Sequence, residues 1–286
     1  MPELPEVETI RIQLNQVLKG LKINDVEILK PKSFQGDKKK IIGKTIKEIQ
    51  RRAKIILIEL EGGLALAIHL KLTGQLIYRR PEEKVLTEAQ KNGPFTVGEL
   101  PNKYTRVIIS FNNGSKLFFN DLRIFGWIKV IKDWQNLPEI KRIGPEANDE
   151  KAFTLPYFQQ ILASSKKPVK LVIMDQEKLA GVGNIYANEA LFVAGVKPTR
   201  PANRLIKKEI ERLRNSIISI LRQAVAHQGT SDKDEAYRQI SGEKGHYQNF
   251  LKVYGRNGEK CLKCGTLIKR IKLGGRGTFY CPQCQK

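Results

Sequence analysis

Two cysteine pairs, Cys261-x-x-Cys264 and Cys281-x-x-Cys284, stand sixteen residues apart and contain all four cysteines of the chain. Each pair offers two thiolates to one side of a tetrahedral Zn²⁺ site, and four thiolates fill that site without leaving a position for water. Between the pairs, Thr266–Lys272 and Thr278–Tyr280 read as the strands of a hairpin, with Gly274-Gly275 at its turn. The pattern predicts a zinc ribbon holding one structural Zn²⁺. Two disulfides are the competing reading, but cysteines confined to one end of the chain suit a metal site better than a disulfide framework.

The rest of the chain must supply its own core. At 286 residues it suits two modest domains or one large one, and with 41% hydrophobic residues it can bury a real core. Charge narrows the partner: 51 Lys+Arg against 29 Asp+Glu give a net +22, which implies a polyanion, nucleic acid first and an anionic membrane surface second. No run of about 18 apolar residues is present, so no membrane-spanning segment is expected. The acidic, proline-bearing start is unlike a signal peptide, and a cytoplasmic location follows as the default.

From Pro5 the chain reads as a helix, with Val7, Ile10, Leu14, Val17 and Leu18 along one face. Short β-rich runs follow: Leu21–Leu29, Thr45–Leu60, Leu64–Leu70, Gln75–Arg79, Arg106–Phe111, Lys116–Phe119 and Trp127–Ile131. Thr45–Leu60 is long enough for two strands or one bent one. Strands at this spacing after a single helix predict a β-sandwich with a helix packed on it. Pro81–Lys103 reads as a long surface loop, and Asp133–Glu150, with Pro138 and Pro145, as a connection. Helices then take over. Thr154 can cap one carrying Leu155, Phe158, Ile161 and Leu162; Pro168 opens a short one; Ile185–Ala194 ends at Gly195. The longest, about Ile206–His227, buries Ile206, Ile210, Leu213, Ile217, Ile220, Leu221 and Val225. Thr230–Gln248 is polar and Gly-containing, and a loop that long in a compact domain is either functional or disordered.

Chemistry concentrates at the start, Met1-Pro-Glu-Leu-Pro-Glu-Val-Glu8. Removal of Met1 is expected before a residue as small as Pro2, and it would expose a secondary amine that can attack an electrophilic carbon and form an iminium. Its ordinary pKa, roughly 8, leaves a usable neutral fraction near pH 7. Glu3 and Glu6 stand close enough in sequence to move protons. Elsewhere, Gly181-Val-Gly183-Asn184 runs into a helix, where N–H groups can bind phosphate. Lys166 and Lys167 precede Pro168 and could add phosphate contacts.

The opening octet resembles the amino terminus of the formamidopyrimidine-DNA glycosylases, and the ribbon resembles their C-terminal finger. By that resemblance Pro2 attacks C1′ of a damaged nucleotide and Glu3 donates a proton. Lys54, in Arg51-Arg-Ala-Lys54, lies near the scissile phosphates, sometimes with a proton-transfer role. His69-Leu-Lys-Leu72-Thr-Gly74 is similar to the family's His-Leu-x-Met-Ser/Thr-Gly turn, so His69 contacts phosphate and Leu72, in place of Met, fills the hole left by the flipped base. Asp121-Leu-Arg123-Ile-Phe125-Gly126 resembles Asp-Pro-Arg-Arg-Phe-Gly, which makes Arg123 the reader of the orphaned base and Phe125 a wedge. Leu122 and Ile124 depart from that pattern, and Tyr104 stands where many members have His as a DNA contact. Asn184 would bind backbone phosphate within a helix–two-turn–helix element. Arg276 would grip the phosphates at the lesion and assist the second elimination.

The resemblance implies an α+β fold: an N-terminal catalytic β-sandwich domain (1–134), a linker (135–150), a helix–two-turn–helix domain with a lesion-covering loop (151–250) and a zinc-ribbon finger (251–286). DNA would lie in the cleft between the two halves. It further implies a monomeric glycosylase and lyase acting on oxidised purines in damaged double-stranded DNA, associated with the chromosome. Two other readings are an endonuclease VIII-like preference for oxidised pyrimidines, against which Leu4 argues because that branch usually has Gly there, and a non-catalytic zinc-ribbon DNA-binding protein, against which Pro2, Glu3 and Lys54 argue.

Overall fold

The computed structural model describes residues 2–82, 99–231 and 236–286. Met1, most of the expected Pro81–Lys103 loop and residues 232–235 of the Thr230–Gln248 loop lie outside the described residues. The chain forms two compact units: residues 1–141 with 227–248, and residues 142–226 with 249–286.

The first unit begins with α1 (Leu4–Leu18), with Glu3 at its N-cap and Pro5 in its first turn, where a missing N–H has no cost. Two sheets follow. One has the strand order β1 (Ile23–Ile28), β7 (Thr105–Phe111), β8 (Lys116–Asp121) and β6 (Gly74–Arg79), all antiparallel. The other runs β2 (Phe34–Gln35), β9 (Trp127–Lys132), β5 (Leu64–His69), β4 (Ile55–Leu60) and β3 (Ile46–Arg52). Alternate residues point inward, as the strand period requires: Ile56 and Ile58, Leu66 and Ile68, Leu76 and Tyr78, Val107 and Ile109, Leu117 and Phe119. They join Val7, Ile10, Leu14 and Leu18 of α1 in one apolar cluster. Thr45–Leu60 resolves into two strands, folded back through Ala53-Lys54.

Residues 227–248 group with this sandwich, whereas the expected boundaries placed them with the helices. Tyr237 and Ile240 are buried in the sandwich core. The Tyr78 N–H donates to the Ile240 carbonyl at 2.9 Å. The Gln75 side-chain amide donates to the Ala236 carbonyl at 3.0 Å. Inside the expected linker lies α2 (Pro138–Lys141), with Pro138 opening the helix rather than breaking it.

The second unit contains α3 (Leu155–Ala163), capped by Thr154, α4 (Val169–Ile173), α5 (Asn184–Ala194), closed by Gly195 at φ 70°, and α6 (Lys207–Ala226). Ile206 precedes α6 and is 62% exposed, against expectation, and Val225 is only half-buried. The ribbon hairpin pairs β10 (Lys269–Leu273) with β11 (Arg276–Tyr280). Gly274 and Gly275, at φ 56° and 75°, make the two-residue turn that such left-handed angles permit. No helix among the described residues is long and apolar enough to cross a membrane.

Candidate active site and nucleic-acid interface

Pro2 and Glu3 are both buried, directly ahead of α1. A reciprocal capping box fixes them: the Glu3 side chain accepts from the Glu6 N–H, and Glu6 Oε2 accepts from the Glu3 N–H at 2.8 Å. Glu6 Oε1 accepts the Thr230 N–H at 2.7 Å, so the same carboxylate also holds the long polar loop. Gly229 must be glycine here. It sits at φ 79°, and a Cβ would lie 2.9 Å from Glu6 Cγ. The Tyr237 hydroxyl, donating to the Gln228 carbonyl at 3.0 Å, is pushed well above its ordinary pKa by burial and then by the Glu6 charge.

Lys54 is 8% exposed, on the turn that follows Ala53 at φ 50°. That turn is tied to α1. Arg51 donates to the Ala53 carbonyl and to Glu8, each at 2.8 Å, and Arg11 also donates to Glu8. Burial alone would raise the Glu8 carboxyl; the guanidinium groups of Arg11 and Arg51 outweigh it and hold the pKa low. His69 pairs with Ile55, the residue after Lys54, across the β4–β5 ladder. Its imidazole is held neutral, with a pKa of about 3, by burial first and by the charges of Lys71 and Lys54. Nδ1 accepts the Lys71 N–H at 3.0 Å, which leaves the ring proton on Nε2, able to donate to a phosphate oxygen.

Leu72 is half-buried on a tight turn closed by the Gly74 N–H to the Leu70 carbonyl at 2.9 Å. Arg123 and Phe125 are exposed on the turn after β8, Phe125 by 54%. Asp121 joins these two turns through Thr73 and the Arg123 N–H, and its own N–H donates to the carbonyl of half-buried Tyr104 at 2.9 Å. Tyr104, Leu72, Arg123 and Phe125 therefore share one scaffold.

In the second unit, Asn184 opens α5 after the turn at Gly181–Gly183, which Gln176 holds by accepting the Gly181 N–H at 2.9 Å. Asn184 Oδ1 accepts from Lys170 Nζ at 2.7 Å. Lys170, fully buried on α4, also donates to Thr278 Oγ1 at 2.7 Å and to the Gly277 carbonyl at 3.2 Å. One ammonium thus connects Asn184 to the strand that Arg276 begins. Arg276 is exposed beside the glycine turn, and a Cβ on Gly274 would lie 2.5 Å from Leu171 of α4. Lys166 and Lys167 are exposed and stand apart from this network.

The four cysteine sulfurs lie within 4.8 Å of one another. Cys261 and Cys284 are 3.9 Å apart, Cys264 and Cys281 3.4 Å. Bonds of about 2.3 Å to a tetrahedral zinc require sulfur separations near ~3.8 Å, whereas a disulfide would need about 2.0 Å. The thiolates therefore fit Zn²⁺ and are not disulfides.

Three family models cover most of the chain: the formamidopyrimidine-DNA glycosylase N-terminal domain over residues 1–128, the formamidopyrimidine-DNA glycosylase H2TH domain over 143–235, and the zinc finger found in FPG and IleRS over 258–286. The formamidopyrimidine-DNA glycosylase of Desulfitobacterium hafniense is 38% identical over 100% of both chains. That of Pelotomaculum thermopropionicum is 39% identical over 100% of this chain and 99% of its own. The chain belongs to the formamidopyrimidine-DNA glycosylase family. It is accordingly a DNA glycosylase, and its finger holds one zinc ion. Among solved structures, the Thermus thermophilus MutM (Fpg) protein superposes with a TM-score of 0.86 at 37% identity, covering 99% of this chain and 98% of its own. Lactococcus lactis Fpg in complex with abasic-site DNA gives 0.86 at 35%, covering 99% of each chain. The same protein with N7-benzyl-Fapy-dG DNA also gives 0.86 at 35%, covering 100% of each. Within this glycosylase frame, the sequence reading passed over Lys170 and the structural part of Asp121. Lys170 lies in the apolar stretch Val169–Met174, the one signal that could have marked it as buried.

Proposed function

We propose that this glycosylase excises oxidised purines, 8-oxoguanine and formamidopyrimidines, from duplex DNA in base excision repair and then cuts the strand. The observation that carries the reading is the Pro2-Glu3 start, fixed on α1 by Glu6. With Met1 removed, the Pro2 nitrogen attacks C1′ and the bond from C1′ to the base breaks. Glu3 delivers a proton to the sugar ring oxygen, and the ring opens to an iminium. The iminium acidifies C2′; loss of that proton expels the 3′ phosphate. A second elimination, assisted by Arg276, expels the 5′ phosphate.

A base inside a duplex must be flipped before its sugar can be attacked, at a cost of a few kcal/mol. Leu72, Arg123 and Phe125 would occupy the vacated stack, with Arg123 donating to the orphaned cytosine. His69, Lys54, Lys166, Asn184 and Arg276 would hold phosphates, with Tyr104 as a further contact. Cys261, Cys264, Cys281 and Cys284 would hold the zinc ion with four thiolates, which would order the ribbon that presents Arg276 and leave no position for water to take part in proton transfer. The complex of the Lactococcus lactis relative with N7-benzyl-Fapy-dG DNA supports the purine-derived lesion class. We take the protein to act as a monomer on chromosomal DNA in the cytoplasm.

Borohydride should trap a covalent complex on a duplex carrying an oxidised purine, with the cross-link mapping to Pro2. Trapping that persists unchanged in Pro2→Gly, with the label on another amine, removes Pro2 from the mechanism.

A further inference from the structure

Asp121 ends β8 and is fully buried, yet three donors converge on its carboxylate. Oδ1 accepts the Thr73 hydroxyl at 2.5 Å and the Arg123 N–H at 3.1 Å; Oδ2 accepts the Gly126 N–H at 2.7 Å. The Arg123 N–H is shared with Thr73 Oγ1 at 3.0 Å. Thr73 belongs to the turn that carries Leu72, while Arg123 and Gly126 flank the turn that carries Phe125. The backbone of the same residue reaches further. Its N–H meets the Tyr104 carbonyl, and its carbonyl accepts Arg106 Nε at 2.8 Å.

The second turn needs such a hold. Ile124 sits at φ 55°, where the branched Cβ crowds its own backbone. A residue persists in that region when its surroundings over-determine it. Here the peptide N–H groups on either side of Ile124 and Phe125 are fixed on one carboxylate. Gly126 closes the arrangement. A Cβ there would lie 2.8 Å from Phe119, 3.1 Å from Asp121 Oδ2 and 3.1 Å from the His69 carbonyl. All three groups on the carboxylate are donors. An amide in its place would turn an NH₂ toward one of them, and a buried donor facing a donor is left unsatisfied.

We infer that Asp121 is a positioning residue for lesion recognition: it locks the Leu72 turn and the Arg123–Phe125 turn into one rigid wedge, so that reading of the orphaned base is set by a group that never touches DNA. The inference rests on the proposed roles of Leu72, Arg123 and Phe125. It separates two things a DNA contact can do, since wedge geometry governs discrimination while phosphate contacts govern overall affinity.

The test uses the full-length, zinc-loaded protein and five forms: wild type, Asp121→Asn, Thr73→Val, their double variant and Arg123→Ala. Single-turnover excision is measured on duplexes with the lesion opposite cytosine and opposite adenine, together with affinity for undamaged duplex. Asp121→Asn should lower the cytosine-over-adenine ratio by about 10-fold, as Arg123→Ala does, a loss of the size expected for one base-reading contact. Affinity for undamaged duplex should stay within about twofold of wild type, because the phosphate contacts remain. Thr73→Val removes only the bridge between the turns and should lower the ratio in the same direction, which keeps the inference testable should Asp121→Asn fail to fold. Adding Thr73→Val to Asp121→Asn should cost little more, because the two groups act as a unit. A folded Asp121→Asn that keeps the full ratio, while Arg123→Ala loses it, overturns this inference and leaves the proposed function standing. Equal losses in undamaged-duplex affinity and in both excision rates would show a general structural role and also overturn it. An Arg123→Ala variant that keeps the ratio removes the base-reading assignment and this inference with it.

Discussion

Lys170→Met isolates the most deeply buried charge in the second unit. The ammonium is fully enclosed and donates to Asn184 Oδ1, Thr278 Oγ1 and the Gly277 carbonyl. Methionine nearly matches its length and apolar stem, so no large cavity forms. Hydrogen bonds to a charged group contribute about 1.5–3 kcal/mol each, so three amount to roughly 4–9 kcal/mol. Against this stands the desolvation of the ammonium, several kcal/mol, which the methionine no longer bears. The difference should be a destabilisation of about 2–4 kcal/mol, dominated by the acceptors left without this donor. Urea denaturation of the zinc-loaded chain, followed by circular dichroism at helical wavelengths, measures it. A functional consequence follows from the same bonds. Asn184 and the β11 strand lose their common tether, so binding to damaged and undamaged duplex should weaken together. If Lys170→Met unfolds at the wild-type urea concentration and binds undamaged duplex within about twofold of wild type, the ammonium carries no net stabilisation and the link between α4, Asn184 and the ribbon is idle.

Glu8→Gln should destabilise the first unit by about 1–3 kcal/mol at neutral pH, because it removes a charged acceptor from Arg11 and Arg51. The folded Glu8 pKa lies below 4.5, so its stabilisation is fully present above that value and is lost as pH falls through the lowered one; the melting-temperature gap between variant and wild type should close on acidification below about pH 4.5 and stay constant above it. Removal of zinc by a chelator, or Cys281→Ser, should disorder the ribbon and abolish DNA binding while the first unit keeps its cooperative melting transition, since a closed four-thiolate site contributes folding energy directly; full DNA binding by the metal-free protein would dissociate the ribbon from the interface.

What the sequence made legible was whatever local chemistry dictates. The cysteine spacing specifies a tetrahedral site, and the short β-rich runs around Ile55–Leu60 and Leu64–His69 mark strands of the sandwich. The fold-back inside Thr45–Leu60 carried no such mark. Its turn residues are Ala53 and Lys54, not Gly, Asn or Asp, and Ala53 adopts φ 50° because the strand pairing and the Arg51 hydrogen bond to its carbonyl impose it. The packing of 236–248 on the sandwich was equally silent. It depends on amides distant in sequence, such as Gln13 donating to Gln239 at 2.6 Å and Gln75 to Ala236, and those bonds have no periodicity to read. Lys170 reads as a surface residue by type, because its acceptors come from α5 and the ribbon, far along the chain.

A common physical device holds several irregular segments, two of which carry proposed functional residues. Glu6, Asp121 and Glu189 are all buried, and each receives backbone N–H donors: Glu6 from Glu3 and Thr230, Asp121 from Arg123 and Gly126, Glu189 from Lys252, Val253 and Tyr254. Burial raises the Glu189 pKa, and its three N–H donors act in the opposite direction. A chain with a net charge of +22 has ample cations to neutralise buried acids. Accepting from peptide N–H groups has two effects. It fixes the backbone of loops that have no ladder or helix to do so, because an N–H cannot move without its peptide plane. It also leaves exposed cations such as Lys166 and Arg276 for the proposed phosphate contacts, where each cation that neutralises a phosphate releases a counterion and adds to affinity. Placement by buried carboxylates and attraction by exposed cations are thereby assigned to different residues, so that one can be altered without the other.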